Sequence, residues 1–142
     1  MAITVAPDFS GTWTLNLQDS KLSPTVAATI RRGSMEIDHR DPRFAVRLVV
    51  VFEEQPFDMK FELSTEDEDD ATADPAAALV TTLRWEGDVL ESTFTERGPY
   101  GEVVISFRYS LEDGGRRLRA AEQVRGGGRD QDNLWIYDRE NG

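Results

Sequence analysis

The sequence predicts an all-β fold, an up-and-down antiparallel barrel of about eight to ten strands. Three observations carry this expectation. Period-two alternation recurs along the chain, turn chemistry separates the alternating runs, and only one short stretch has helical character. At 142 residues the chain fits one domain, residues 1–142, with residues 1–7 as a flexible N-terminal segment. Folding at this size buries roughly 68 to 70% of the surface of the unfolded chain, so one core forms without staples.

The first strand is expected over residues 10–17, in "PDFSGTWTLNLQDSKL", with Gly11, Trp13 and Leu15 on one face. The stretch "SPTVAATIRRG" follows. It has Ser23 as a candidate N-cap, Pro24 at the first helical position and Gly33 past the end, and it reads equally as a short helix or an irregular loop. Strands are then expected over 34–39 and 43–54, separated by Asp41 and Pro42. The next, 57–66, contains the clearest alternation, Phe57, Met59, Phe61 and Leu63 against Asp58, Lys60, Glu62 and Ser64. Strands over 77–85 and 89–97 flank a turn from Glu86 to Asp88, and another over 102–111 follows the turn from Arg97 to Gly101. That strand puts Val103, Ile105, Phe107, Tyr109 and Leu111 on one face. The last two, 116–125 and 132–138, follow "EDGG" and "RGGGRDQDN" respectively. Closing such a meander buries one face of every strand and removes the sheet edges, whereas a Greek-key order would instead give a sandwich.

The chain carries 27 acidic and 16 basic side chains, a formal charge of −11, and no cysteine. Nucleic acid and anionic membrane surfaces are disfavoured partners, because both are bound through clustered cations. Disulfides, thiolate metal sites and a cysteine nucleophile are excluded, and with a single histidine so is the usual zinc ligand set. No metal and no cofactor is expected. The N-terminus lacks a basic and apolar leader pattern, and no apolar run approaches the length of a spanning helix. The chain as given is expected to be soluble and cytoplasmic, or secreted or periplasmic if a leader has been removed.

The residues Phe9 to Trp13, Leu15, Ser20 and Lys21 form "FSGTW.L…SK", which resembles the first-strand signature of the calycin superfamily, and most of all small bacterial lipocalin-like proteins. Asp41-Pro42, "W.GD.L" at Trp85 to Leu90 and the Asp-Gly hairpin between Leu111 and Leu118 extend the likeness along nearly the whole chain. The resemblance implies a lipocalin-like barrel, with Trp13 plugging one end and packing against an arginine from a late strand, for which Arg119 and Arg139 are candidates. Fatty-acid-binding relatives hold a carboxylate with Arg-x-Tyr on the last strand. Here the order is reversed, Tyr137-Asp138-Arg139, and those roles are not carried over.

Taking the apolar face as inward predicts an interior of Trp13, Leu15, Met35, Ile37, Leu48, Val50 and Phe52 from the first half of the chain, then Met59, Phe61, Leu83, Trp85 and Phe94, and finally Ile105, Phe107, Tyr109, Leu118 and Ile136. Of these, Met59, Phe61, Phe94, Phe107 and Tyr109 are the expected walls of a ligand cavity, the others being core. Polar residues also fall in phase with the apolar face: Ser92 and Glu96 on either side of Phe94, and two more, His39 after Met35 and Ile37, and Glu122 between Ala120 and Val124. The last two are candidates for a ligand-orienting or acid–base pair, or for solvated charges at strand ends. The acidic run from Glu66 to Asp74 lacks the glycine and final glutamate of a calcium loop and reads as a solvated connection. Val49 and Val51 point outward within "LVVVF", an apolar stripe expected to be covered by the 21–33 loop or to form a homodimer rimmed by Arg47, Glu53 and Glu54.

The expected function is non-enzymatic binding of a small hydrophobic molecule inside the barrel. The alternatives are an enzyme of proton transfer, isomerisation or cyclisation using His39, Glu122 and Tyr109, and a filled barrel acting as an interaction module.

Overall fold

The computed structural model describes residues 7–53, 55–66, 79–99, 101–128 and 130–140. The described residues form nine strands: β1 (Gly11–Leu15), β2 (Ile30–Arg40), β3 (Arg43–Phe52), β4 (Gln55–Ser64), β5 (Leu79–Glu86), β6 (Val89–Gly98), β7 (Gly101–Glu112), β8 (Arg117–Arg125) and β9 (Gln131–Arg139). They make one antiparallel sheet in the order β4-β3-β2-β1-β9-β8-β7-β6-β5. The sheet curls into a nearly closed up-and-down barrel. Full closure by hydrogen bonds does not occur, because the outermost strands β4 and β5 are not paired. Counted along the sheet order the two edges run in the same direction, so the antiparallel alternation of neighbours does not continue across the seam.

Element boundaries differ from expectation where side chains redirect the backbone. β1 stops at Leu15 because Asn16 turns the chain: its Oδ1 accepts from the Asp19 N–H at 3.0 Å and its carbonyl from the Ser20 N–H at 3.1 Å. The helix α1 spans only Pro24–Thr29, and Ser23 does not cap it with its side chain. The Ser23 hydroxyl donates instead to Gln131 Oε1 at 2.8 Å. Residues from Ile30 onward join β2, opposite Phe52 of β3, so Gly33 lies within a strand rather than past a helix. Val49 and Val51 are half-buried on the outer face of β3, opposite Asp58 and Pro56 of β4.

One end of the barrel is solid. Phe9, Trp13, Phe44, Leu90 and Leu118 are completely buried there. The Trp13 Nε1–H donates to the Phe9 carbonyl at 3.0 Å. The Arg139 guanidinium lies 4.3 Å from the Trp13 ring centroid, and donates to the Ser10 and Gly115 carbonyls at 2.8 and 3.0 Å. Arg139, opposite Trp13 in register, is therefore the stacking arginine. Arg119 reaches Glu112 on the outer face instead.

Gly11 has φ +144°, and a Cβ there would collide with the Arg139 guanidinium. Gly11→Ala is expected to cost about 1–3 kcal/mol through backbone strain and displacement of Arg139, read as a lower denaturation midpoint with an unchanged m-value. An unchanged midpoint would show that Arg139 is not needed at the plug.

Ile136 corrects the predicted interior. It sits opposite Arg119, out of phase with Trp135 and Tyr137, and so is buried on the outer face, where the Asn16–Ser20 turn bonds to its backbone. Both faces of β9 are apolar at this point, and alternation alone did not choose between them.

Candidate functional site

Above the solid end the barrel encloses a cavity of about 780 Å³, within the range of about 300–1,000 Å³ usual for small-molecule sites. Period-two geometry builds it. Met35, Val46, Leu48 and Val50 line it from β2 and β3, and Phe57, Met59 and Phe61 from β4. Thr81 and Phe94 contribute from β5 and β6, Ile105, Phe107 and Tyr109 from β7, Ala120 and Glu122 from β8, and Trp135 and Tyr137 from β9. Phe57 and Met59 belong to the inner face yet are 49% and 37% exposed, because β4 has no partner on its far side. The unpaired edge thus gives the cavity an opening. Phe61 of β4 meets Phe94 of β6 edge to face across that opening, ring centroids 5.7 Å apart. The aromatic contacts continue inward through Phe107 to Tyr109 and Phe44, which separate the cavity from the plug.

One polar cluster of the cavity lies on β7, β8 and β9, apart from Thr81 of β5 and Glu96 of β6. Glu122 Oε1 accepts from Asn133 Nδ2 at 2.9 Å and from the Trp135 Nε1–H at 3.0 Å. Tyr109 and Tyr137 are each 3% exposed. Burial pushes the Tyr109 phenol up, the neighbouring Ser92 hydroxyl offsets part of this, and the Glu122 charge adds to it. Tyr137 is pushed up by burial, then by Tyr109 and Glu122. Ser92 is fully buried behind the wall, and its Oγ has no hydrogen-bond partner among the described residues.

These shifts give an expected pH response. A phenol raised above its ordinary 10.0 contributes stability that is complete below that value and lost as pH rises through its folded pKa. Two of the three tyrosines should therefore remain non-ionised in the folded protein above the ordinary phenol range, and ionise together with unfolding, followed as tyrosinate absorbance beside circular dichroism. Ordinary titration of all three in the folded state would contradict the burial of Tyr109 and Tyr137.

The sequence candidates separate into two groups. Met59, Phe61, Phe94, Phe107, Tyr109 and Glu122 all line the cavity, and so does Glu96. His39 does not. It is 7% exposed at the solid end, so it is neither a solvated strand-end residue nor a partner of Glu122. Its Nδ1 accepts from the Phe9 N–H at 3.2 Å, and its ring stacks on Phe9 and meets Phe44 edge to face, both at 5.5 Å. The Ser10 hydroxyl also bridges the His39 backbone. His39 thus fixes the entry of the chain into β1, and the expected acid–base convergence of His39 with Glu122 and Tyr109 is not formed.

Trp135, Tyr137, Ala120 and Asn133 were missed as site residues. Asn133, Trp135, Tyr137 and Arg139 do alternate in "NLWIYDR", and their polar members carry the signal that Ile136 obscured. Asp67 and Asp69 of the acidic run lie outside the described residues, as does Glu54. Among the described residues no group of three or more acidic, histidine or cysteine side chains is placed to hold a metal ion. The "RGGGRDQDN" stretch is a hairpin connection between β8 and β9, closed by a hydrogen bond from the Gly126 N–H to Asp130 Oδ1 at 2.8 Å. No helix among the described residues is long and apolar enough to cross a membrane.

No protein-family model matches the chain, and no curated protein matches it in sequence. Solved structures do match it. A secretary abundant heat soluble (SAHS) protein from Ramazzottius varieornatus superposes with a TM-score of 0.62 at 15% identity, covering 92% of this chain and 94% of that one. Human cRBP IV gives 0.58 at 18% identity, with 94% and 99% covered. A point mutant of the fluorescent protein UnaG gives 0.57 at 17% identity, with 94% and 97% covered. At these identities the likeness is one of fold. The chain has a calycin-like, lipocalin-like β-barrel fold.

Proposed function

We propose that this protein binds a small hydrophobic molecule in the barrel interior, without covalent chemistry. The cavity of about 780 Å³ carries the reading, since it is walled by apolar and aromatic side chains and opens at the unpaired β4 edge. A barrel of this size has either a filled interior or room for one ligand, and the enclosed volume supports the second. Met59, Phe61, Phe94, Phe107 and Tyr109 are the proposed contacts, with Glu122 as the polar one. His39 is no longer among them, because it packs into the plug. The test is native mass spectrometry with a thermal-shift screen against retinoids, flavonoids, fatty acids and haem. One retained ligand per chain, with a higher melting temperature, is the expected result. A barrel that retains none and is stabilised by none contradicts the reading.

The outward Val49 and Val51 support a separate proposal of self-association through β3. Sedimentation should give a dimer that becomes monomeric in Val51→Lys, and a monomer at every concentration would overturn it.

A further inference from the structure

The polar groups on the inner wall are carboxylates and neutral hydroxyls, apart from the Trp135 indole N–H, which is already given to Glu122. Glu122 uses Oε1 for Asn133 and Trp135, and its second oxygen has no partner among the described residues. A carboxylate offers about four lone-pair sites, so this oxygen is available to a donor within the cavity. The phenols of Tyr109 and Tyr137 are close enough to feel its charge, with the Ser92 hydroxyl also acting on Tyr109, and both residues are almost fully buried.

Compensating positive charge is absent from the inner wall among the described residues. Lys60 borders the cavity, but it alternates with Met59 and Phe61 and lies opposite Arg47, so it projects to the exposed outer face. Arg139 shares the inner phase but is committed to Trp13 and to two carbonyls at the plug. The second charged side chain on the wall in inner phase is Glu96, which is again acidic. An anionic head group would meet the carboxylate of Glu122 within an apolar wall, with no counter-ion on the inner face among the described residues.

We infer that the ligand is an apolar molecule carrying one non-anionic, hydrogen-bond-donating head, an ammonium or a hydroxyl, seated on the free oxygen of Glu122 beside the Tyr109 and Tyr137 hydroxyls, and that the cavity discriminates against carboxylates. This rests on the reading of the barrel as a binding protein and names the class of molecule it takes.

The experiment compares dodecylamine, dodecanol and dodecanoate at neutral pH, below micelle formation, as competitors of a neutral apolar fluorescent dye. Wild-type protein should bind the amine and the alcohol at least tenfold more tightly than the carboxylate. Glu122→Gln keeps an acceptor for Asn133 and Trp135, and should lose about tenfold for the amine while gaining affinity for the carboxylate. Equal or preferred binding of the carboxylate by the wild type overturns the inference, whether or not the variant folds. So does unchanged selectivity in a folded Glu122→Gln. Dye binding that none of the three displaces overturns this inference alone. Failure of the dye itself to bind overturns the binding reading as well.

Discussion

Trp13→Ala is expected to be the most damaging single substitution in the barrel, lowering stability by about 3–5 kcal/mol. At roughly 2–4 °C per kcal/mol for a chain near this size, the melting temperature should fall by about 6–20 °C. The ring is completely buried, it supplies the hydrogen bond to the Phe9 carbonyl, and it is the surface on which Arg139 lies. Its removal leaves a hole in the plug and strands the guanidinium above it. Arg139→Ala removes only the stacked cation and its bonds, and should cost roughly 0.5–2 kcal/mol for the cation–π part, plus the two carbonyl contacts. Because Trp13 is not on the cavity wall, any Trp13→Ala protein that remains folded should bind ligand normally. Denaturant titration beside dye binding separates the two effects. A loss of binding without a loss of stability would place Trp13 in the site.

Ala120→Trp should have the opposite signature. Ala120 is 2% exposed on the cavity wall, set between Tyr109 of β7 and Trp135 of β9. A large ring built there enters the space that the small residue leaves open. Overpacking costs about 1–3 kcal/mol, which the barrel should survive, whereas affinity for an apolar dye should fall at least tenfold. Undiminished binding by a folded Ala120→Trp would locate the dye outside the barrel.

Strand order and the interior phase were largely legible because most strands are apolar on one face only. In "FDMKFELS" and "VVISFRYSL" the alternation is clean, and it placed Met59, Phe61, Phe107 and Tyr109 on what proves to be one continuous wall. Gly11-Thr12-Trp13 likewise points to the plug, where the Arg139 guanidinium closes on Gly11. Legibility fails where both faces of a strand are apolar, so that alternation assigns Ile136 to the interior while the register places Tyr137 there. It fails again at His39, whose position at the end of β2 is compatible with solvent, cavity or plug until Phe9 folds over it. The opening at β4 lies where β4 and β5 are left unpaired, which alternation within single strands does not reveal. Glu122 stood out as a polar residue in apolar phase, but its fixation by Asn133 and Trp135 depends on the β8–β9 register. That register is set by pairing across the sheet rather than by local sequence.

The central claim is that the barrel interior is a ligand site, and a crystal structure of the protein with the tightest-binding screened molecule tests it most directly. The account predicts electron density for the molecule enclosed between Phe94, Phe107, Trp135 and Glu122, with its apolar body toward the β4 edge and its polar group at Glu122. An interior filled by side chains, or ligand density confined to the outer face, would contradict it.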